Sequence, residues 1–169
     1  MPIKPFSINS KKNSDLYEYE FSIFTLVNDK DQYKELLKSC EKAGFNSRNS
    51  EFGYLDNILS NSHDGFSGLN RAIHIAKGKY IILVHQDVRL KFDGIETLKA
   101  KIESIEKRDP NWAILGNAGG NFDLGKKFIR ISDPANKNLK FGSLPAKANS
   151  LDENFLLIKS STQLAFSED

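Results

Sequence analysis

Ile81, Ile82, Leu83 and Val84 are apolar without alternation and give way at once to His85, Gln86 and Asp87. A strand with one face in water alternates apolar and polar side chains. An unbroken apolar run fits instead a strand covered on both faces, as parallel strands between two helical layers are. Ligands of open α/β sheets bind beyond the carboxyl ends of such strands, so position alone makes Asp87 a site candidate. The competing structural reading has Asp87 capping a helix that starts near Phe92, or facing water in a turn.

The rest of the chain supplies the partners such a strand needs. Short apolar runs alternate with helical patterns, the signature of a parallel sheet wrapped by helices. Residues 1–18 are polar, with Pro2, Pro5, Asn9 and Asn13, and read as a loosely held arm before a single domain over 19–169. Residues 21–27 form a first strand ending at Asn28-Asp29. Tyr33, Leu36, Leu37, Cys40 and Ala43 then recur at helical spacing, with Gly44 as the stop. A second strand over 52–55 ends in Asp56-Asn57. Leu69, Ala72, Ile73 and Ala76 mark a second helix closed by Lys77-Gly78. Phe92, Ile95, Leu98, Ile102 and Ile105 give a third, ended by Asp109-Pro110 because the residue before a proline disfavours helix. A fourth strand over 112–115 runs into the glycine-rich 116–120, read as a sharp turn or a close approach to a ligand. Short strands follow at 128–131 and 155–158, separated by a loop over 132–150. The expected architecture is a three-layer α/β/α domain with a mostly parallel central sheet.

Length and charge remove several classes of function. A chain of 169 residues fits one domain. Its formal net charge of +2 comes without any block of like charge, so no nucleic-acid footprint and no polybasic membrane patch is legible. Lys11-Lys12 and Lys126-Lys127 read as solvated surface. The single cysteine, Cys40, excludes an intrachain disulfide and a multi-cysteine metal site. It fits a small buried helix residue. Residues 1–20 lack the apolar core of a signal peptide, and no apolar run is long enough to cross a bilayer. The expected location is the cytoplasm, with peripheral attachment to a membrane compatible with it.

Three strands thus end in polar residues: Asn28-Asp29, Asp56-Asn57 and His85-Gln86-Asp87. In a right-handed βαβ progression all three ends share one edge of the sheet and line one crevice. Acids and amides there suit the hydrogen-bond donors of a base or sugar. They also suit magnesium or manganese, which prefer oxygen ligands. A nicotinamide-binding Rossmann domain would need a glycine fingerprint in the first turn, and residues 28–33 contain no glycine. A two-component receiver domain would use Asp29 and Asp31 with Asp87 as phosphoacceptor. Its expected proline is missing and the spacing is off, so it stands as a third reading.

The run from Asp64 through Asn70-Arg71 and Lys79 to His85-Gln86-Asp87-Val88, after Val27-Asn28 and Asp56-Asn57, resembles the nucleotide-sugar half of family 2 glycosyltransferases of the GT-A fold. It is similar in particular to the branch with His-Gln-Asp-Val in place of Asp-X-Asp. The resemblance extends over residues 21–120 and more loosely to Phe166. It implies a GT-A domain that binds a nucleoside diphosphate sugar, uridine type favoured, and transfers the sugar to a hydroxyl acceptor. Thr25, Val27 and Asn28 would shape the nucleoside pocket, and Asp56 would accept from the base. Asp87 would help hold a divalent ion, manganese or magnesium, with His85 as a second ligand because it stands where the first acid would be. Asn57, Asp64, Asn70, Arg71 and Gln86 would lie beside the nucleotide, with Arg71 facing phosphate. The alternative for that segment is that Asp64 or Ser67 caps the helix while Arg71 faces solvent.

Residues 164–169 resemble the start of the family's Phe-Asp-Glu element, beyond which its catalytic base and acceptor site are expected. The catalytic residue is accordingly unassigned and the domain reads as truncated at its C-terminus. Glu168 and Asp169 are poorly placed at a chain end, and Asp152 and Glu153 lack a motif. The alternative function is a noncatalytic nucleotide or nucleotide-sugar binding module. Donor sugar, acceptor, stereochemical outcome and oligomeric state are not legible.

Overall fold

A computed structural model describes residues 17–133, 135 and 138–167. Strands β1 (Tyr19–Val27), β2 (Ser50–Asp56) and β3 (Gly78–Val84) alternate with helices α1 (Lys30–Lys42) and α2 (Ser67–Ile75). Helix α3 (Ile95–Arg108) leads to β4 (Ile114–Gly116), and β9 (Phe155–Lys159) returns to the same sheet. The sheet order is β2-β1-β3-β9-β4. β1 runs parallel to both β2 and β3, and β9 is antiparallel to β3 and β4. The fold is therefore mixed α/β with a parallel-rich sheet. Antiparallel β9 between β3 and β4 removes the all-parallel order 2-1-3-4-5 that a receiver domain requires.

Each central strand is buried on both faces, and the alternation of its side chains sorts the core into two clusters. Phe21, Ile23, Tyr80, Ile82, Val84 and Leu157 meet Leu36 and Cys40 of α1 and Ile95 and Ile102 of α3. Phe24, Ile81, Leu83, Leu156 and Ile158 meet Leu69 and Ala72 of α2, and Ala76 just after it, on the other side. At about 2 kcal/mol for each large apolar side chain removed from water, these two layers outweigh any single polar contact described below. Burial pushes the Cys40 thiol up to about 11, so it sits in the core as an unreactive apolar residue.

Four sequence expectations need correction. Phe92 lies outside α3 and is 73% exposed, because the helix starts only after Gly94, where the Ile95 amide bonds Ala43 O at 2.8 Å. The fourth strand is shifted from 112–115 to Ile114–Gly116, leaving Trp112 as a buried side chain stacked on Tyr80. The glycines of 116–120 do not turn; most of them enter β5 (Ala118–Asn121). The loop over 132–150, parts of which lie outside the described residues, contains β7 (Leu139–Phe141) and reaches β8 (Ser150–Leu151). With β6 (Lys126–Ile131) these make a second, antiparallel sheet of order β7-β6-β5-β8. Gly119 is glycine because β8 crosses it closely: a Cβ there would collide with Ser150 O. Most of the proposed polar arm, and both Glu168 and Asp169, lie outside the described residues.

Candidate functional site

The order β2-β1-β3 contains a reversal. The chain leaves β1 for β2 on one side and then crosses to β3 on the other, with α1 and α2 on opposite faces. The carboxyl ends of β1 and β3 therefore flank a topological switch point, where the two connections diverge and leave a crevice. The register aligns Val27 with Asp56 and Phe24 with Leu83, so the segments 28, 56–57 and 85–87 leave the sheet at the same edge. Helix α1 starts at once after β1 because Asp29 caps it, accepting from the amides of Asp31 at 2.9 Å and Gln32 at 3.0 Å.

Gln86 closes the two lips of this crevice. Its Oε1 accepts from the amides of Asn28 and Asp29, both at 3.0 Å, and its Nε2 donates to Asn28 Oδ1. One side-chain amide thus satisfies two orphan donors at the end of β1 and fixes β1 against β3. Arg89 secures the next stretch. Its guanidinium donates to Gln86 O at 3.0 Å, Val88 O at 2.8 Å and Gln32 Oε1 at 2.8 Å. Between these anchors Asp87 is exposed and its carboxylate has no partner among the described residues. His85 is exposed too, with its amide on Asn154 O at 3.1 Å and Nε2 3.9 Å from Glu153 Oε1. Sequence reasoning missed Arg89 and gave Glu153 no motif. Only the antiparallel return of β9 brings Glu153 to this edge.

The other candidates divide by how much of their hydrogen-bonding capacity is already used. Asp56 is exposed; one oxygen accepts from the Ile58 amide at 3.0 Å and the other is free. Asn57 is occupied by the loop below it, donating to His63 O at 2.7 Å and Asn61 Oδ1 at 3.2 Å and accepting from the His63 amide at 2.9 Å. Asn70 holds the C-terminal segment, donating to Phe166 O at 2.9 Å and accepting from its amide at 2.7 Å. Arg71 is exposed on α2. Thr25 and Val27 are each 1% exposed, beneath the rim, and Thr25 Oγ1 is buried with no hydrogen-bond partner.

Asp64 holds the turn before α2. It accepts from the amides of Phe66 at 2.8 Å and Ser67 at 2.6 Å and from the Ser67 hydroxyl at 3.0 Å. The Phe66 amide, then the Ser67 hydroxyl, hold its carboxyl below the usual carboxylate range. A lowered folded-state pKa means a stabilising contribution that is present above the ordinary aspartate value of about 4 and is lost as pH falls through the folded value. In denaturant midpoints measured from neutral pH to about pH 3, Asp64→Asn is expected to lose less stability on acidification than the unsubstituted chain. Identical acid profiles would remove Asp64 from that role.

Among the described residues no three His, Cys, Asp or Glu side chains converge as a cation cage would need. Nor is any helix of the described residues long and apolar enough to cross a membrane.

No protein-family model matches the sequence. A protein of Fuscovulum blasticum described as "ATP synthase subunits region ORF 6" is 36% identical over 160 residues, covering 92% of this chain. The chain spans 63% of that relative's length. A solved structure of 4-diphosphocytidyl-2C-methyl-D-erythritol synthase from Anaerococcus prevotii superposes with a TM-score of 0.42 at 8% identity, covering 86% of this chain and 73% of that one.

Proposed function

We propose that this chain binds a nucleoside diphosphate sugar in the crevice between β1 and β3, uridine type favoured, as the donor half of a GT-A glycosyltransferase acting on a hydroxyl acceptor. The observation that carries the reading is the switch point itself, with the free carboxylates of Asp56 and Asp87 at one strand edge and Gln86 fixing the lips between them. A base offers N–H donors and a ribose offers hydroxyls, and unpaired carboxylate oxygens at the edge accept from both. The three-layer, parallel-rich fold agrees with the architecture that the motif resemblance implies. Diphosphate carries opposite demands: it needs cationic or N–H partners, and Arg71 is the exposed guanidinium on α2 proposed to face it. A manganese or magnesium ion would be shared between the diphosphate and Asp87, with His85 beside it.

In this mechanism binding positions the anomeric carbon before the acceptor hydroxyl; the bond to the departing nucleoside diphosphate breaks, the sugar forms a bond to the hydroxyl oxygen, and the hydroxyl proton passes to a carboxylate base supplied with the acceptor site. A second reading is a binding module without turnover, which needs the nucleotide crevice but no base beside an acceptor hydroxyl. Both require nucleotide binding. Calorimetry with a panel of nucleoside diphosphates, with and without manganese, is expected to show uridine diphosphate binding, and Asp56→Ala is expected to weaken it roughly tenfold by removing one charged acceptor. A chain that binds no nucleoside diphosphate under either condition sinks both readings. Sugar release from a nucleotide sugar then separates transfer from binding alone.

A further inference from the structure

The second sheet carries a surface that nucleotide binding does not use. Residues 118–151 hold six Lys or Arg against two Asp, in a chain whose net charge is only +2, so the remainder is on the acidic side of neutral. Arg130 is committed to shape: its guanidinium donates to Ile129 O at 2.6 Å, Phe141 O at 2.8 Å and Gly142 O at 2.7 Å, drawing the end of β7 over β6. The result is an open groove of about 650 Å³ lined by Leu124, Lys126, Lys127, Phe128, Phe141 and Lys147. Those three lysines are exposed, and none pairs with a carboxylate among the described residues. Asp123, the acid nearest them in sequence, accepts instead from Asn149 Nδ2 at 3.2 Å.

Around the lysines stand large apolar side chains in water: Phe122 at 73% exposure, Leu124 at 62%, Phe141 at 57% and Leu144 at 45%. Single exposed apolar residues are ordinary, but here Phe141 ends β7 while Phe122, Leu124 and Leu144 stand in the segments flanking β6 and β7, and beside unpaired lysines they make this side of the molecule amphipathic. We propose that this face docks on an anionic lipid bilayer, its phenylalanines and leucines entering the boundary between headgroups and acyl chains and its lysines meeting the negative headgroups. The charge of the face selects this occupant. A second copy in a symmetric pair would press lysines against lysines. A single-stranded nucleic acid would use lysines and aromatic platforms but leave Leu124 and Leu144 without a role. The inference is independent of the nucleotide reading, because the groove lies on β6 and β7 and not at the β1–β3 crevice.

Co-sedimentation with vesicles of phosphatidylcholine alone, and of phosphatidylcholine mixed with phosphatidylglycerol, tests it. Partition into the mixed vesicles is expected, with little into the neutral ones, and with weakening at high salt. Each lysine near the surface is worth roughly fivefold, so Lys126→Gln, Lys127→Gln and Lys147→Gln together should lower the partition coefficient on the order of a hundredfold. Leu124→Ser should reduce partition at fixed charge. All four positions are exposed, and an unchanged denaturant midpoint shows that the fold is kept. Equal partition into both kinds of vesicle, or none, overturns the proposal. So does capture by a single-stranded oligonucleotide, or concentration-dependent dimerisation, without vesicle binding.

Discussion

Gln86→Ala is expected to weaken nucleoside diphosphate binding by about tenfold or more and to lower the unfolding free energy by about 1–2 kcal/mol. The side chain lies between the ends of two central strands, and three hydrogen bonds depend on it. Its loss leaves the Asn28 and Asp29 amides to water, which can reach them at this half-open rim, so the cost in stability stays modest. The cost in affinity is larger because the spacing of the lips is no longer held, and a loosened site must be ordered again by the ligand. Gln86→Glu separates geometry from charge. A carboxylate still accepts from both amides, and the Asn28 amide can rotate to donate to it, so stability should stay close to that of the unsubstituted chain. An added anion beside Asp87 should nevertheless repel diphosphate, and this loss should diminish in high salt. Calorimetry of both variants beside urea unfolding distinguishes the effects. Undiminished binding by Gln86→Ala would show that the β1–β3 spacing does not shape the site.

The parallel half of the fold was legible because its signals are local. The unbroken apolar run before His85 and the spacing of Leu36 and Cys40 each follow from one element meeting two layers or one, and the first three strands stand close to where those patterns put them. Pairing between distant segments has no such signal. The run at 155–158 shows a strand but not that it would lie antiparallel between β3 and β4, and that insertion is what brings Glu153 to His85. Glycine at 119 correctly marks a close approach, yet the approaching group is the backbone of β8. Phe92 misled by falling three residues before Ile95, a helical spacing that chance also produces.

Site residues divide along the same line. Residue type shows that Asn57, Asp64, Asn70 and Gln86 are polar at strand and helix ends, but not whether their donors and acceptors are already used. Asn57 is committed to the 57–63 loop, Asp64 to the turn before α2, Asn70 to Phe166 and Gln86 to β1. Asp56 and Asp87 keep free oxygens at the edge, which is why the functional proposal rests on those two carboxylates. Lys147 is far from Lys126 and Lys127 in sequence and meets them only through the fold of β6 and β7. No charge run announces them.

At the opposite end of the β1–β3 pair, Gly78→Ala is expected to cost about 3 kcal/mol of stability. A Cβ at this position would stand 2.6 Å from the Phe21 carbonyl carbon and closer still to the Ser22 amide nitrogen, so the added methyl meets backbone on the central strand. Neither strand can yield easily. Gly78 pairs with Tyr19 in register, its amide donates to Ser22 Oγ at 2.7 Å, and its carbonyl accepts from Ser160 Oγ at 2.6 Å. Ser22 Oγ in turn donates to Glu51, which also accepts from the Lys77 amide at 2.7 Å. Pushing β3 away would break a buried, mutually satisfied polar group as well as the packing of Phe21, and losses of both kinds add. Gly65→Ala is the matched control, since a Cβ there meets nothing within 4 Å; its effect should stay within about 0.5 kcal/mol. Urea midpoints at constant m-value compare the two, and equal stabilities would refute the close approach of β1 and β3 at this end. Because Gly78 and Gln86 sit at opposite ends of one strand pair, their variants should also fail differently: Gly78→Ala should lower the folded fraction while the folded molecules keep their nucleotide affinity, and Gln86→Ala should lower the affinity of molecules that remain largely folded.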